Sequence, residues 1–154
     1  MDEWSIGDAA NLRFANCEFD AICTSPTYGN RMADHHNAKD ASKRMTYRHC
    51  LGRPLDEQNT GKMQWGEKYR QKHIEIYREC LRVLKPNGIF IINISDHIRK
   101  GEVMPVVEWH KETLLSIGLQ LVEEIKIETP RMGFGQNAKV RVPHESILVF
   151  WHVA

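Results

Sequence analysis

Net charge, proline and paired cysteine are all scarce in this chain. Among its 154 residues, 21 are Lys or Arg and 20 are Asp or Glu, giving a formal charge of +1. Composition alone therefore demands neither a nucleic-acid nor a membrane partner. Only 6 residues are proline, while 42% are hydrophobic and 27% charged, which excludes a disordered or low-complexity chain. The four cysteines, Cys17, Cys23, Cys50 and Cys80, are widely spaced with no CxxC among them. Cys23 in an apolar run and Cys80 on a helical face suit reduced, packed thiols in a cytoplasmic protein rather than a disulfide framework. No run approaches the roughly 20 apolar residues of a membrane span, and no opening stretch reads as a signal peptide. Internal repeats are missing as well. One globular domain over residues 1–154 is the expectation.

What is present is an alternation of strand and helix signals. Phe19–Thr24 (FDAICT) is an apolar run too short for a helix and reads as a buried strand, with a shorter strand at Trp4–Ile6. Helical spacing of Tyr69, Ile74, Tyr77, Leu81 and Leu84 predicts a helix over Trp65–Lys85, stopped by Pro86-Asn87-Gly88. Ile89–Ile94 (IFIINI) reads as a central strand buried on both faces. Met104–Ile117 predicts a second helix ended by Gly118, with Val107, His110, Leu114 and Ile117 on one face. Leu119–Ile127 and Ser146–Val153 read as the last strands. The fold class is α/β, a partial Rossmann-like sheet, mostly parallel, with an antiparallel edge strand at the C-terminus.

In open parallel sheets ligands sit at the carboxyl ends of the strands. Ser25-Pro26-Thr27-Tyr28 occupies that place. A serine hydroxyl, the Pro26 carbonyl and an aromatic ring in nearly consecutive positions offer two hydrogen-bond acceptors and a stacking face. The plain alternative is a Ser-Pro turn with a surface tyrosine.

The stretch CTSPTYGN resembles the target-binding signature of the S-adenosylmethionine-dependent amino-methyltransferases of nucleic acids, the N6-adenine and N4-cytosine DNA methyltransferases. That signature is Asp, Asn or Ser, then Pro-Pro, then an aromatic residue; Thr27 stands where the second proline is usual. Gly7-Asp8-Ala9 looks like the family's acidic turn, and ECLRVLKPNGIFIINISDH like its helix, turn and following strand. The resemblance implies a methyltransferase sheet with S-adenosylmethionine as cofactor and DNA as partner, RNA being the other nucleic acid it allows. It gives Ser25, Pro26 and Tyr28 catalytic roles: a serine oxygen and the Pro26 carbonyl would accept the two hydrogens of an exocyclic amine and free a lone pair otherwise tied into the π system of the base, so that positioning and electrostatics do most of the catalysis. The Tyr28 ring would replace the stacking that an extruded base loses. The resemblance also assigns Asp8, Ala9 and Ser25 to the cofactor and puts Thr27 and Asn30 beside the base.

Residues 29–64 carry no period of either kind and read as a long basic loop. Within 31–53, six Lys or Arg face two Asp. Arg31, Lys43, Arg44, Arg48 and Arg53 fit a phosphate-tracking arm, and fit a solvated loop equally well. His35, His36, His49 and Cys50 match no zinc spacing, so no metal is expected. Asp96 and His97 follow the IFIINI strand and read either as base- or loop-orienting groups or as a plain cap of the next turn. Residues 131–139 contain GFG but open no helix, so they are not a phosphate cradle.

The resemblance also exposes a gap. The family's cofactor half contributes three strands and a glycine-rich turn, and no strand–glycine loop–helix occurs here. The chain reads as the target half alone, its Phe19–Thr24 strand left as a bare edge that a second polypeptide or another copy would pair. Three functions stay open: a DNA amino-methyltransferase working with a complementing chain, a catalytically idle module that binds nucleic acid or protein, and a methyltransferase acting on RNA or protein amines.

Overall fold

A computed structural model describes residues 7–27, 29, 55–130 and 140–153. The strand expected at Trp4–Ile6, the ring of Tyr28, residues 30–54 and the 131–139 crossing lie outside the described residues. No described helix is long and apolar enough to cross a membrane. The chain divides into two compact units, Met1–Pro26 with Tyr77–Ala154, and Thr27–Ile76.

The strands, in chain order, are β1 (Phe19–Thr24), β2 (Leu84–Ile94), β3 (His97–Arg99), β4 (Glu102–Met104), β5 (Leu119–Glu128) and β6 (His144–His152). The helices are α1 (Glu67–Val83) and α2 (Val106–Ser116). β3 and β4 form a small hairpin, and the other four strands form one sheet in the order β1-β2-β6-β5.

The sheet corrects the expected one. β1 and β2 pair in parallel, but β6 runs antiparallel to both β2 and β5, so the sheet is mixed. The C-terminal strand is not the edge; it lies inside, and β5 takes the outer place. The side chains explain the exchange. Leu148 and Phe150 of β6 are both 0% exposed, whereas β5 carries Glu123, Glu124, Lys126 and Glu128, charges that suit an edge.

α1 forms because its buried residues recur at helical spacing: Tyr69, His73, Tyr77, Cys80 and Val83. Glu67 in its first turn and Arg82 in its last complement the helix dipole. Arg82 also ends the helix as a hub. Its guanidinium grips both oxygens of Glu79, at 2.9 and 2.7 Å, and donates to the Leu12 and Phe14 carbonyls at 3.1 and 2.9 Å. α2 ends where Gly118 adopts φ 107°, a left-handed conformation that side chains resist.

The core of the larger unit lies on one face of the sheet. Phe90, Ile92 and Ile94 of β2 point there with Leu148 and Phe150, against Tyr77 of α1 and Leu114 of α2. Tyr77 meets Phe90 edge-on with ring centres 5.9 Å apart, and its hydroxyl lies 2.6 Å from His110 Nδ1. The opposite face differs from the expectation. Ile89 is 44% exposed and Trp151 42%, and Ala21 and Cys23 of β1 are also exposed, so IFIINI is buried on one side only. β1 has a strand neighbour on one side among the described residues, and both helices of the described chain reach the Phe90 face.

In the Thr27–Ile76 unit a short 3-10 turn, Thr60–Lys62, is capped by Asn59, whose side chain accepts the Gly61 N–H at 2.8 Å. The first half of α1 follows. His73 is buried there and donates its Nδ1 hydrogen to the Tyr69 carbonyl at 3.0 Å. Burial pushes its pKa down from 6.5 to about 4, outweighing that hydrogen bond.

Tyr77→Phe, which keeps the ring and deletes only the hydroxyl beside His110, should cost about 1–3 kcal/mol in urea unfolding, the desolvation penalty of a buried polar group. The pH dependence carries a second signature. Unfolded, His73 takes its proton near 6.5, and folded only near 4. The unfolded chain thus holds the extra proton between those values, and stability complete above about 6.5 is lost as pH falls, by up to about 3 kcal/mol. His73→Asn, uncharged throughout, should flatten that fall when unfolding is measured at pH 7 and pH 4.5.

Candidate functional site

The parallel pairing of β1 and β2 builds the site. Their register places Thr24 opposite Ile92, so both strands end at the same edge of the sheet. The next residues are Ser25 on one strand and Asn93 on the other. Ser25 is exposed and Pro26 half-buried. A strand ending on proline has no further N–H to give the ladder, so the chain must leave the sheet there.

Asn93 interrupts the apolar run at its carboxyl end. Its Nδ2 donates to Glu145 at 3.3 Å, while its Oδ1 is buried without a hydrogen-bond partner among the described residues. Ser95, 3% exposed, donates to the His144 carbonyl at 3.0 Å and locks the end of β2 to β6. Asp96 takes the role of a cap. Its Oδ1 accepts the Val107 N–H at 2.8 Å, covering the start of α2, where Pro105 has no side-chain oxygen to offer. His97 is 8% exposed and sits in β3, paired with Met104.

Asp8 is exposed, and its Oδ1 accepts the Ala10 N–H at 2.9 Å in a tight turn that includes Ala9. The chain after that turn is tied to α1, Leu12 N–H donating to Glu79 at 2.9 Å. Thr27 opens the other unit and is bonded within it to Tyr69 and Thr60. Tyr28, Asn30, Arg31, Arg44 and Arg48 lie outside the described residues.

The structure therefore brings Ser25, Pro26, Asp96 and the polar pair Asn93–Glu145 to the sheet edge where β1 and β2 end. Chemically the edge offers a hydroxyl, a backbone carbonyl and the carboxylates of Asp96 and Glu145 as oxygen acceptors. Away from this edge, on α1, burial drives the Cys80 thiol up to about 11. No cluster of metal-binding side chains occurs among the described residues. Sequence reasoning passed over Asn93, Glu145, Thr60 and Tyr69. Asn93 carried a visible signal, a polar residue at the carboxyl end of an otherwise apolar strand; the others are marked only by tertiary contact.

Comparison with known proteins gives the family. A model of the DNA methylase family matches residues 19–153. No curated protein matches the chain. Among solved structures, TTHA0409 of Thermus thermophilus, assigned as a DNA modification methylase and solved with S-adenosyl-L-methionine, aligns with TM-score 0.63 at 15% identity, over 97% of this chain and 54% of its own. The cytosine-N4-specific PvuII DNA methyltransferase aligns with TM-score 0.53 at 17% identity, over 95% of this chain and 46% of its own. The [4+2]-cyclase SpnF also aligns, with TM-score 0.53 at 14% identity, over 97% of this chain and 56% of its own. These likenesses establish the fold, which the cyclase shares, and this chain spans about half the length of each of these structures. With residues 19–153 matching the family from the first strand to the last, the chain belongs to the DNA methylase family.

Proposed function

We propose that this chain is the target-base half of an S-adenosylmethionine-dependent DNA methyltransferase acting on an exocyclic amine, adenine N6 or cytosine N4. The observation that carries the reading is the exposed Ser25-Pro26 step at the end of β1, alongside the end of β2. Ser25 Oγ and the Pro26 carbonyl accept the two amine hydrogens, and the lone pair they release from the ring turns out of the base plane. Positioning of this kind replaces a strong base. Tyr28 stacks on the extruded base, an interaction worth about 1–3 kcal/mol. Thr27 and Asn30 border the base, and Arg31, Arg44 and Arg48 take DNA phosphates. Asp96 and His97 act indirectly, by holding the helix cap and the hairpin that follow β2.

The donor set fits the border of a nucleoside sulfonium. Asp8 presents an exposed carboxylate on a closed turn and Ser25 an exposed hydroxyl at the strand end. Asp8 and Ala9 would hold the adenosine of the cofactor, with Ser25 beside the methyl. Bound S-adenosylmethionine supplies an electrophilic methyl group. A complementing polypeptide would supply the rest of the cofactor site by extending the sheet from β1. Two features support that partner: the β1 edge, which has no strand partner on its outer side among the described residues, and the apolar face on which Ile89 and Trp151 remain 44% and 42% exposed.

A second reading is a module that binds without catalysis. Calorimetry with S-adenosylmethionine separates the two, since the idle module stays silent even with the partner present.

Titration of the 15N-labelled chain with single nucleosides tests the base site without requiring turnover. Adenosine or cytidine should shift the amide resonances of Ser25, Thr27 and Asn93, while thymidine, which lacks an exocyclic amine, should not. Ser25→Ala should weaken that response and lower transfer of tritiated methyl to duplex DNA by about 100-fold, the scale of a lost oriented hydrogen bond in a transition state. Equal shifts with thymidine, or none with any nucleoside, would remove base recognition from this turn. Light scattering tests the partner: the chain alone should associate or precipitate, and should become monodisperse only with its complement. A stable monomer sinks the complementing subunit, and a defined homodimer assigns the edge to a second copy.

A further inference from the structure

The base-gripping turn lacks the covalent restraint of a second proline, because residue 27 is threonine. A threonine leaves φ free where proline would hold it near −65°. Within the Thr27–Ile76 unit that freedom is removed by other means. The Tyr69 hydroxyl donates to the Thr27 carbonyl at 2.7 Å. The Thr27 and Thr60 hydroxyls lie 2.5 Å apart. Two residues on, Gly29 is buried so close to Trp65 that a Cβ would stand 2.7 Å from the Trp65 backbone nitrogen. The residues on both sides of position 28 are therefore seated on one stretch of chain, Thr60–Tyr69.

The anchors are themselves immobilised. Tyr69 is 0% exposed, with its ring 5.4 Å from Trp65 and 4.1 Å from His73. Thr60 begins the 3-10 turn that Asn59 caps. A buried tyrosine hydroxyl finds some acceptor in most proteins, so the Tyr69 contact alone would be ordinary. Its convergence with a second side chain and a close backbone approach, all within three consecutive positions, is not.

We infer that Thr60 and Tyr69 are positioning residues that fix the backbone of the base-gripping turn through Thr27, replacing with two hydrogen bonds the rigidity that a second proline would supply. The inference rests on the base-binding reading of that turn. It assigns to the Thr60–Tyr69 stretch a function that its own chemistry, remote from the amine, does not announce.

Two near-isosteric variants test it in the intact chain: Tyr69→Phe keeps the ring stack and Thr60→Val keeps the shape. Each should speed amide hydrogen exchange at Gly29 by about 10-fold, the effect of losing one net hydrogen bond, and lower the melting temperature by only the few degrees that such a loss carries. Each should also weaken the response of Ser25 to adenosine and cytidine by a similar factor. Adding Thr27→Pro to Thr60→Val should restore both the slow exchange and the nucleoside response, a rescue that a merely structural hydrogen bond would not show. Unchanged exchange in both variants overturns the tether, and faster exchange with an unaltered nucleoside response overturns the positioning role. Fast exchange in the variants, with no nucleoside response even in the parent chain, leaves the tether standing and sinks the base-binding reading instead.

Discussion

The parallel pairing of β1 with β2 is the constraint on which the remainder of the molecule depends. Parallel neighbours cannot be joined by a tight turn, so the chain must travel the length of the sheet and return. α1 makes the return, and its buried stripe from Tyr69 to Val83 is what secures it. Arg82 then ties the last turn of that helix to the segment leading into β1, and Cys17 and Glu18 hydrogen-bond to the Arg82 and Val83 carbonyls at 3.0 and 2.8 Å. With the strands locked at Thr24 and Ile92, their ends are forced to one edge. Chemistry gathers there because the polypeptide has no choice but to leave the sheet at that point.

The second physical theme is incompleteness. A doubly wound sheet buries both faces and pairs its inner strands on both sides, which is why its strands read as continuous apolar runs. β2 keeps that composition, yet only the side bearing Phe90, Ile92 and Ile94 is covered. Ile89, Ile91, Val149 and Trp151, paired in register across β2 and β6, form the other. An apolar ladder beside an edge with no further strand partner among the described residues is a costly arrangement in water.

The site itself depends on placement more than on ionisation. The strongest shifts from ordinary acidity fall on His73 and Cys80, both moved by burial and both away from Ser25 in the chain. What stands at the β1 end is a hydroxyl and a carbonyl, neutral acceptors whose value lies in being held still. That suits a reaction in which a weakly basic amine must be reshaped and aimed. At the end of β2, Ser95 holds the His144 carbonyl and Asp96 caps the start of α2.

Local pattern determined much of this protein. Phe19–Thr24 and the two helices were legible because their signals reside in short windows: an apolar run closed by Ser-Pro, and apolar residues at helical spacing, closed for α2 by Gly118. Pro86-Asn87-Gly88, read as the stop of the first helix, lies instead within β2, which begins at Leu84. The place of Ser25 and Pro26 directly after Phe19–Thr24 was legible because it is written in consecutive residues. Tertiary structure alone decided the rest. The position of β6 inside the sheet depends on which strand buries Leu148 and Phe150, a competition among distant segments that no window contains. Asp96 reads in the sequence as a base- or loop-orienting group or as a cap, and its carboxylate accepts the Val107 N–H, 11 residues away. Thr60 and Tyr69, 33 and 42 residues beyond Thr27, carry no local mark of their contact with it. Pattern tells which residues are apolar or reactive, but pairing across the chain is set by the balance of burial and backbone hydrogen bonding in the folded whole, and only there does it become visible.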